Sequence, residues 1–273
     1  MPVKKFAVIG NPVQHSLSPA LHNFVFQSLG IDAEYSIRKV QHTQLSSIIQ
    51  ELKTGKLDGI NITIPHKEKI IPLLDNINAR ANVIGAVNVI SRFGKKLTGN
   101  NTDWYGFSKA LEKNSINVEG REIILLGAGG ASKAVIFALK QLGVCKIYLL
   151  NRSVEKAEMM SDDLVSPHPL SMAEDLIYSN SIIINTTSVG MQTSKSPVDL
   201  GLLHKNQIII DIIYNPLETP LINFGKKLGA KTMNGLDMFI WQGLASLDLW
   251  FGVDISKQVN FNQLKEHLET KLC

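Results

Sequence analysis

The chain has 273 residues, 44% of them hydrophobic and 19% charged, an ordinary globular mixture long enough for two domains. Its net charge of +4, from 28 basic and 24 acidic residues, is too small to point to nucleic acid or a membrane surface, and no basic tract interleaved with aromatics occurs. The two cysteines, Cys145 and Cys273, cannot build a disulfide framework or a metal site between them, and reduced thiols fit a cytoplasmic protein. Cys145 reads as a small buried hydrophobe in a strand approach, and Cys273 as a solvated end. No signal-peptide pattern opens the chain, and no apolar run approaches membrane-spanning length.

Residues 6–9 read as a short buried strand ending at Gly10-Asn11-Pro12. A helix follows with Ser18 as N-cap and Pro19 at N1; Leu21, Phe24, Val25 and Leu29 keep helical spacing, and Gly30 ends it. A strand over 33–40, a helix over 45–53 and a strand over 57–64 come next. Pro65-His66-Lys67 turns into a helix expected around 68–74, then a short helix over 79–84. A hairpin, 87–91 with 95–98, turns at Phe93-Gly94. Strands alternating with helices imply a largely parallel sheet with covered faces.

A second unit begins near Asn101-Thr102-Asp103, with a helix over 104–113. The apolar run 121–126, the turn Gly127-Ala128-Gly129-Gly130-Ala131-Ser132, a helix, and a second apolar run ending at Asn151-Arg152-Ser153 form the first half of a dinucleotide-binding fold. Gly127 allows the sharp turn, Gly129 lets the backbone approach a pyrophosphate, and the amides that follow open a helix whose positive end suits an anion. An NAD site usually has an acid about 20 residues on, for the ribose 2′-hydroxyl. Here Asn151, Arg152 and Ser153, with Lys156 one turn later, offer two cations and no carboxylate, which favours a 2′-phosphate and so NADP. Strands at 181–185 and 207–213, a helix over 221–229, a short strand at 231–233 and helices from Gly235 onward complete the order.

Two further constellations sit just past strands, where open α/β sheets bind ligands. Residues 10–23 are dense in small hydroxyl donors, so Ser16 and Ser18 suit a carboxylate; spacing alone equally permits a plain cap with His15 and His22 on the surface. In Asn61-Ile62-Thr63-Ile64-Pro65-His66-Lys67, a lysine suits proton transfer through partial burial or a paired carboxylate, with Asp103 one candidate partner and Asn88, an uncharged amide, another. A lone lysine after a strand is more often a helix-end surface charge, and periodicity does not overturn that reading.

The motifs taken together resemble the shikimate dehydrogenase family, including its quinate/shikimate members. They are Gly10 to Asn23, Asn61 to Lys67, Gly85-Ala86-Val87-Asn88, Gly99 to Asp103, Gly127 to Ala131, Asn151-Arg152, Tyr214 to Leu221 and Asn234 to Gln242, in order along the chain. The resemblance implies an α/β enzyme of two domains. A substrate domain with an open, mostly parallel sheet would be formed by 1–102 and completed by helices of 236–273, and a Rossmann-type NADP domain by 103–235. It implies reversible NADPH-dependent reduction of 3-dehydroshikimate to shikimate, on the route to chorismate and the aromatic amino acids. Lys67 and Asp103 would be catalytic. Ser16 and Ser18 would hold the carboxylate; Thr63, Asn88, Asp103 and Gln242 the ring hydroxyls and the reacting oxygen; Tyr214 would help close the site. Gly127, Ala128, Gly129, Gly130 and Ala131 would hold the pyrophosphate, and Asn151, Arg152, Ser153 and Lys156 the adenosine phosphate. Ile213 and Gly235 would line the nicotinamide through backbone groups.

The chain departs from the family at Asp237, where many members have Gly, at Lys156, where Arg is common, and at Ala79, where some place a polar residue. A quinate/shikimate enzyme using NAD would want an acid after Arg152, and Glu155, three residues on, is the only candidate. Ser16, Ser18, Lys67 and Asp103 together argue against another dehydrogenase on the same plan, such as one acting on methylene-tetrahydrofolate. The intact Lys67 and Asp103 argue against a catalytically silent NADP-binding sensor. The expected partner is a small-molecule substrate, with a monomer or homodimer as the assembly.

Overall fold

The computed structural model describes residues 2–177 and 181–272. They form two compact units: residues up to Gly106 with Ile240–Lys271, and Phe107–Phe239.

The first unit is built on a six-stranded sheet. The chain runs β1 (Lys4–Gly10), α1 (Ser18–Ser28), β2 (Ala33–Lys39), α2 (Leu45–Lys53), β3 (Gly59–Ile62), β4 (Asn76–Ile77), α3 (Ala79–Ile84), β5 (Val89–Phe93), β6 (Lys96–Asn100) and the first turn of α4 (Asp103–Lys113), whose remainder belongs to the second unit. The strand order is β2-β1-β3-β5-β6-β4. β1 runs parallel to β2 and β3, β4 parallel to β6, and β5 antiparallel to both neighbours. α2 buries Leu45, Ile48, Ile49 and Leu52, one stripe at helical spacing, against Ala7, Ile9, Ile60 and Ile62. Each such side chain contributes about 1.5–3 kcal/mol when fully buried. The helix expected over 68–74 is not formed; only a 3-10 turn at Ile71–Leu73 appears. Pro72 has no N–H to donate back to Glu68, so the turn closes instead through the Ile71 amide on the Glu68 carbonyl at 3.3 Å. The two-residue β4 carries no alternation and left no sequence signal.

The second unit holds β7 (Glu122–Leu126), α5 (Gly130–Gln141), β8 (Lys146–Asn151), α6 (Val154–Glu158), β9 (Val165–Pro169), α7 (Ala173–Ile177), β10 (Ile182–Asn185), β11 (Ile208–Asp211), α8 (Pro220–Leu228) and β12 (Lys231–Met233). All six strands are parallel, in the order β12-β11-β10-β7-β8-β9. Their central strands are nearly continuous apolar runs because both faces are covered. Successive strands step outward from β7 in one direction, then from β10 in the other. The doubly wound topology therefore switches between these two, the place at whose carboxyl ends open α/β sheets bind ligands. β9 was not expected because its sequence, Val-Ser-Pro-His-Pro, carries two prolines; an edge position tolerates them. Cys145 is exposed rather than buried, since it lies in the bend before β8, tied by its amide to the Arg121 carbonyl at 2.9 Å. Cys273 falls outside the described residues.

The chain ends with α9 (Leu236–Phe251) and α10 (Phe261–Glu269). The last turns of α9 cover the other face of the first sheet: Trp250 stacks on Phe6 at 4.5 Å and donates its indole N–H to the Ile90 carbonyl at 2.9 Å. No helix of the described residues is long and apolar enough to cross a membrane.

Candidate active site

In the first unit, backbone ladders bring the two strand-end motifs together. The Asn11 amide donates to the Ile64 carbonyl at 2.9 Å, and the Thr63 amide to the Ile9 carbonyl at 2.9 Å. The segments carrying Ser16, Ser18, Thr63 and Lys67 thus leave neighbouring strands at the same sheet end. Ser18 does not cap α1. It is a helical residue already, Leu17 stands at the cap position, and no side chain caps the helix. The Ser16 hydroxyl accepts from the Ser18 amide at 3.2 Å and donates to the Ser18 hydroxyl at 3.0 Å. The resulting hydroxyl pair opens an 11-residue helix, and its uncharged donors suit a carboxylate. Thr63 is half-buried.

Lys67 donates to the Asp103 carboxylate at 2.5 Å, with side-chain exposures of 16% and 8%. Asp103 is held from three sides. Its amide donates to the Asn101 side chain at 3.0 Å, its other carboxylate oxygen accepts from the Asn88 amide at 2.8 Å, and it opens α4, where a carboxylate meets the positive helix end. Asn88 also donates to Thr102 at 2.9 Å and Gln242 at 3.3 Å, and its oxygen accepts from the Thr102 amide at 2.7 Å. Every polar atom of Asn88 is engaged, which fixes its amide orientation.

Sequence reasoning missed the layer beneath. Asn61 accepts from the Tyr35 hydroxyl at 2.7 Å and donates to Ser246 at 2.9 Å; Ser246 lies 3.3 Å from Thr102. His66, next to Lys67, is fully buried with Nε2 2.7 Å from the Val40 carbonyl, so it anchors the turn. His22 is not a surface residue: it is buried and stacks on Tyr35 at 4.2 Å. Burial pushes its pKa down to about 3, outweighing the hydrogen bond with Asn61 that raises it, so it is neutral packing. Its spacing with Leu21 and Val25 on α1 was the available signal.

In the second unit, Gly127 lies at φ +101°, where a side chain is strained, and a Cβ there would stand 2.8 Å from Thr187 Cγ2. Space beside Gly129, by contrast, is open. Asn151 latches the turn: its oxygen accepts from the Ala128 amide at 3.3 Å and its amide donates to the Ser153 carbonyl at 2.8 Å. Ser132 does more than permit close packing, since its hydroxyl accepts from the Gly129 amide at 3.0 Å and lies 2.7 Å from Thr186 Oγ1 across the switch point. Arg152, Ser153 and Lys156 are exposed, and neither cation has an acidic partner among the described residues. An open cradle before the orphan amides of Gly130 and Ala131, flanked by two unpaired cations, fits a dinucleotide carrying an extra phosphate.

Ile213 and Gly235 meet through the Gly235 amide on the Ile213 carbonyl at 2.9 Å. A Cβ on Gly235 would lie well inside van der Waals distance of the Ile212 carbonyl, so only glycine fits. Tyr214 belongs to the second unit and stacks on Phe239 at 4.3 Å, whereas Gln242 is in the first. Asp237 is buried and accepts from Asn114 at 2.9 Å, in the first turn of α9. Its carboxylate serves a helix junction.

Comparison with known proteins bears on the same residues. Residues 8–90 match the shikimate dehydrogenase substrate binding domain, 109–215 the shikimate / quinate 5-dehydrogenase model, and 235–259 the shikimate 5′-dehydrogenase C-terminal domain. A shikimate dehydrogenase (NADP(+)) of Bacillus cereus strain AH187 is 39% identical over 275 residues, covering 98% of each chain. Among solved structures, shikimate dehydrogenase from Aquifex aeolicus superposes with a TM-score of 0.89 at 36% identity, over 97% of each chain. Shikimate 5-dehydrogenase from Thermus thermophilus, solved in complex with NADP(H) and shikimate, does so at 0.86 and 34% identity, over 98% of this chain and 99% of that one. Identity of this order along nearly the whole chain, on a matching fold, means that the chain belongs to the shikimate dehydrogenase family.

Proposed function

We propose that this chain catalyses the reversible NADPH-dependent reduction of 3-dehydroshikimate to shikimate, a step toward chorismate and the aromatic amino acids. The observation that carries the proposal is the Lys67–Asp103–Asn88 chain of hydrogen bonds, with Lys67 half-buried and Asp103 and Asn88 buried. When bound, NADP(H) supplies or accepts the hydride. Lys67 has one donor on Asp103 and two left for the reacting oxygen, so it gives that oxygen a proton in reduction and takes it back in oxidation. Asp103 keeps the Lys67 nitrogen in place, and Asn88 keeps Asp103 in place. Ser16 and Ser18 bind the substrate carboxylate, Thr63, Asn88, Asp103 and Gln242 its hydroxyls, and Tyr214 helps close the site.

The residues that would hold NADP are Gly127, Ala128, Gly129, Gly130 and Ala131 for the pyrophosphate, Asn151, Arg152, Ser153 and Lys156 for the adenosine phosphate, and the backbones of Ile213 and Gly235 for the nicotinamide. A neutral polyol acid needs this many convergent groups because each buried partner left unpaired costs about 1–3 kcal/mol. The same proposal divides labour between the units, substrate on the first and cofactor on the second. It also puts the enzyme in the cytoplasm, in keeping with two cysteines that build no disulfide framework. The test is absorbance at 340 nm with shikimate or quinate and NADP or NAD in all four combinations. Turnover confined to shikimate with NADP is the expected result. Comparable rates with quinate and NAD would move the chain to the broader quinate/shikimate class, and no turnover would sink the reading.

A further inference from the structure

Asp211 ends β11 with no exposed surface. Its two carboxylate oxygens take three hydrogen bonds. One accepts from the Ile213 amide at 3.1 Å and the Asn185 amide at 3.0 Å, and the other from the Thr219 hydroxyl at 2.8 Å. Asn185 in turn accepts from the Thr187 amide at 3.0 Å and hydroxyl at 2.7 Å, and Thr219 caps α8. One carboxylate therefore ties the ends of β10 and β11 and the start of α8 to the Ile213 amide. The Ile213 carbonyl then receives the Gly235 amide at 2.9 Å.

We propose that ionised Asp211 is a positioning residue for the nicotinamide: by clamping the Ile213 amide it sets the backbone of Ile213 and Gly235 against which the ring would lie. The inference rests on the cofactor site proposed above. The neighbours leave the clamp to hydrogen bonding alone. β10 presents the Asn185 amide, α8 the Thr219 hydroxyl, and β12 pairs through Met233 opposite Ile210. Among the described residues no cation pairs with the carboxylate; Lys205 and Glu218 are the nearest charged residues along the chain, and Glu218 is paired with Lys226 at 2.6 Å. Burial without a cation pushes its pKa up to about 6, against the three hydrogen bonds, which lower it. A proton on it weakens charge-assisted bonds to ordinary ones and removes an acceptor from Thr219.

The measurement is the NADPH dissociation constant between pH 5 and 8, by quenching of protein fluorescence, for the wild type and Asp211→Asn. Thermal melts report whether both are folded, and steady-state kinetics give KM and kcat separately. The 2′-phosphate of NADPH titrates near the same pH, so the readout is the ratio of variant to wild type. Asp211→Asn is expected to bind NADPH at least three-fold more weakly at pH 8, with the ratio approaching one at pH 5. The KM for shikimate should stay unchanged. A ratio constant across the range, or equal to one throughout, would overturn the clamp. Should the variant not fold, Thr219→Val, which removes one donor, is expected to show the same converging ratio, and a flat one would overturn the clamp equally. Absence of NADPH binding by the wild type would instead overturn the cofactor reading itself.

Discussion

Lys67 holds its ammonium where, among the described residues, only Asp103 takes one of its donors, and that single fact makes it the most informative position for substitution. Lys67→Ala is expected to lower kcat by about 100- to 10,000-fold, the usual range for a positioned acid–base group, while NADPH binding is retained. Equal loss of NADPH binding, measured by fluorescence titration, would count against the assignment. Arg152 offers a planar donor set with no acidic partner among the described residues. Arg152→Gln should cost about 10- to 100-fold in kcat/KM for NADP and little for NAD, since charge-assisted phosphate contacts contribute on the order of 1.5–3 kcal/mol. A uniform loss with both cofactors would remove the 2′-phosphate role. Asp211 has a stability signature of its own. Its pKa is raised in the folded protein, to about 6, so the stabilisation it gives is complete below the ordinary carboxylate pKa and is lost as pH rises through 6. The ionised form costs on the order of 3 kcal/mol. Asp211→Asn should therefore melt at least as high as the wild type at pH 7.5, and the advantage should vanish at pH 4. A lower melting temperature at pH 7.5 would mean that the carboxylate is a net stabiliser.

At the scale of elements, the turn from β7 into α5 is governed by what cannot be added to it. Gly127 combines a positive φ with Thr186 Oγ1 at 3.1 Å and Thr187 Cγ2 at 2.8 Å from any Cβ. Gly127→Ala is expected to destabilise the protein by about 1–3 kcal/mol, read from the denaturant midpoint, and to weaken NADPH binding with it. Unchanged stability would show that the turn relaxes freely. The glycine pattern, the apolar strand before it and the basic tip of β8 were all legible in the sequence, because each is a local requirement met by residues close in the chain. The run ahead of β4 was misread because a helical-looking stretch contains Pro72, whose missing N–H outweighed the apolar spacing. β9 escaped notice because edge strands tolerate prolines that would exclude a central one. His22 kept helical register with Leu21 and Val25, yet a histidine on an apolar stripe reads as ambiguous until its burial is known.

At the scale of the molecule, each compact unit carries a self-contained set of donors, the hydroxyl pair and Lys67 in one, the glycine turn and Arg152 in the other. Amide hydrogen exchange tests whether ligand binding respects that division. NADPH at 100 times its dissociation constant should stabilise by about 2.7 kcal/mol. It should slow exchange first at the start of α5 and after β8 and β11. Shikimate should slow exchange around Ser16, Thr63 and Lys67. Protection of the first unit by NADPH alone, to the same extent as by shikimate, would contradict the division.

Short-range patterns in the chain were enough to establish the α/β class and the dinucleotide turn, and to raise the expectation of a 2′-phosphate. These follow from periodicity, glycine spacing and charge over short stretches. Lys67 and Asp103 also stood out as a candidate pair, but only the family resemblance gave them a catalytic role, since 36 residues separate them and no local rule joins them. Packing settled the rest: that Asn88 fastens Asp103, that Asn61, Thr102 and Ser246 underlie Asn88, and that Asp211 binds three segments at one strand end. Such contacts join residues up to 185 positions apart, as in Asn61 with Ser246. A buried polar group takes whichever partner the packed backbone brings within reach, and that partner is fixed by topology rather than by its place in the chain.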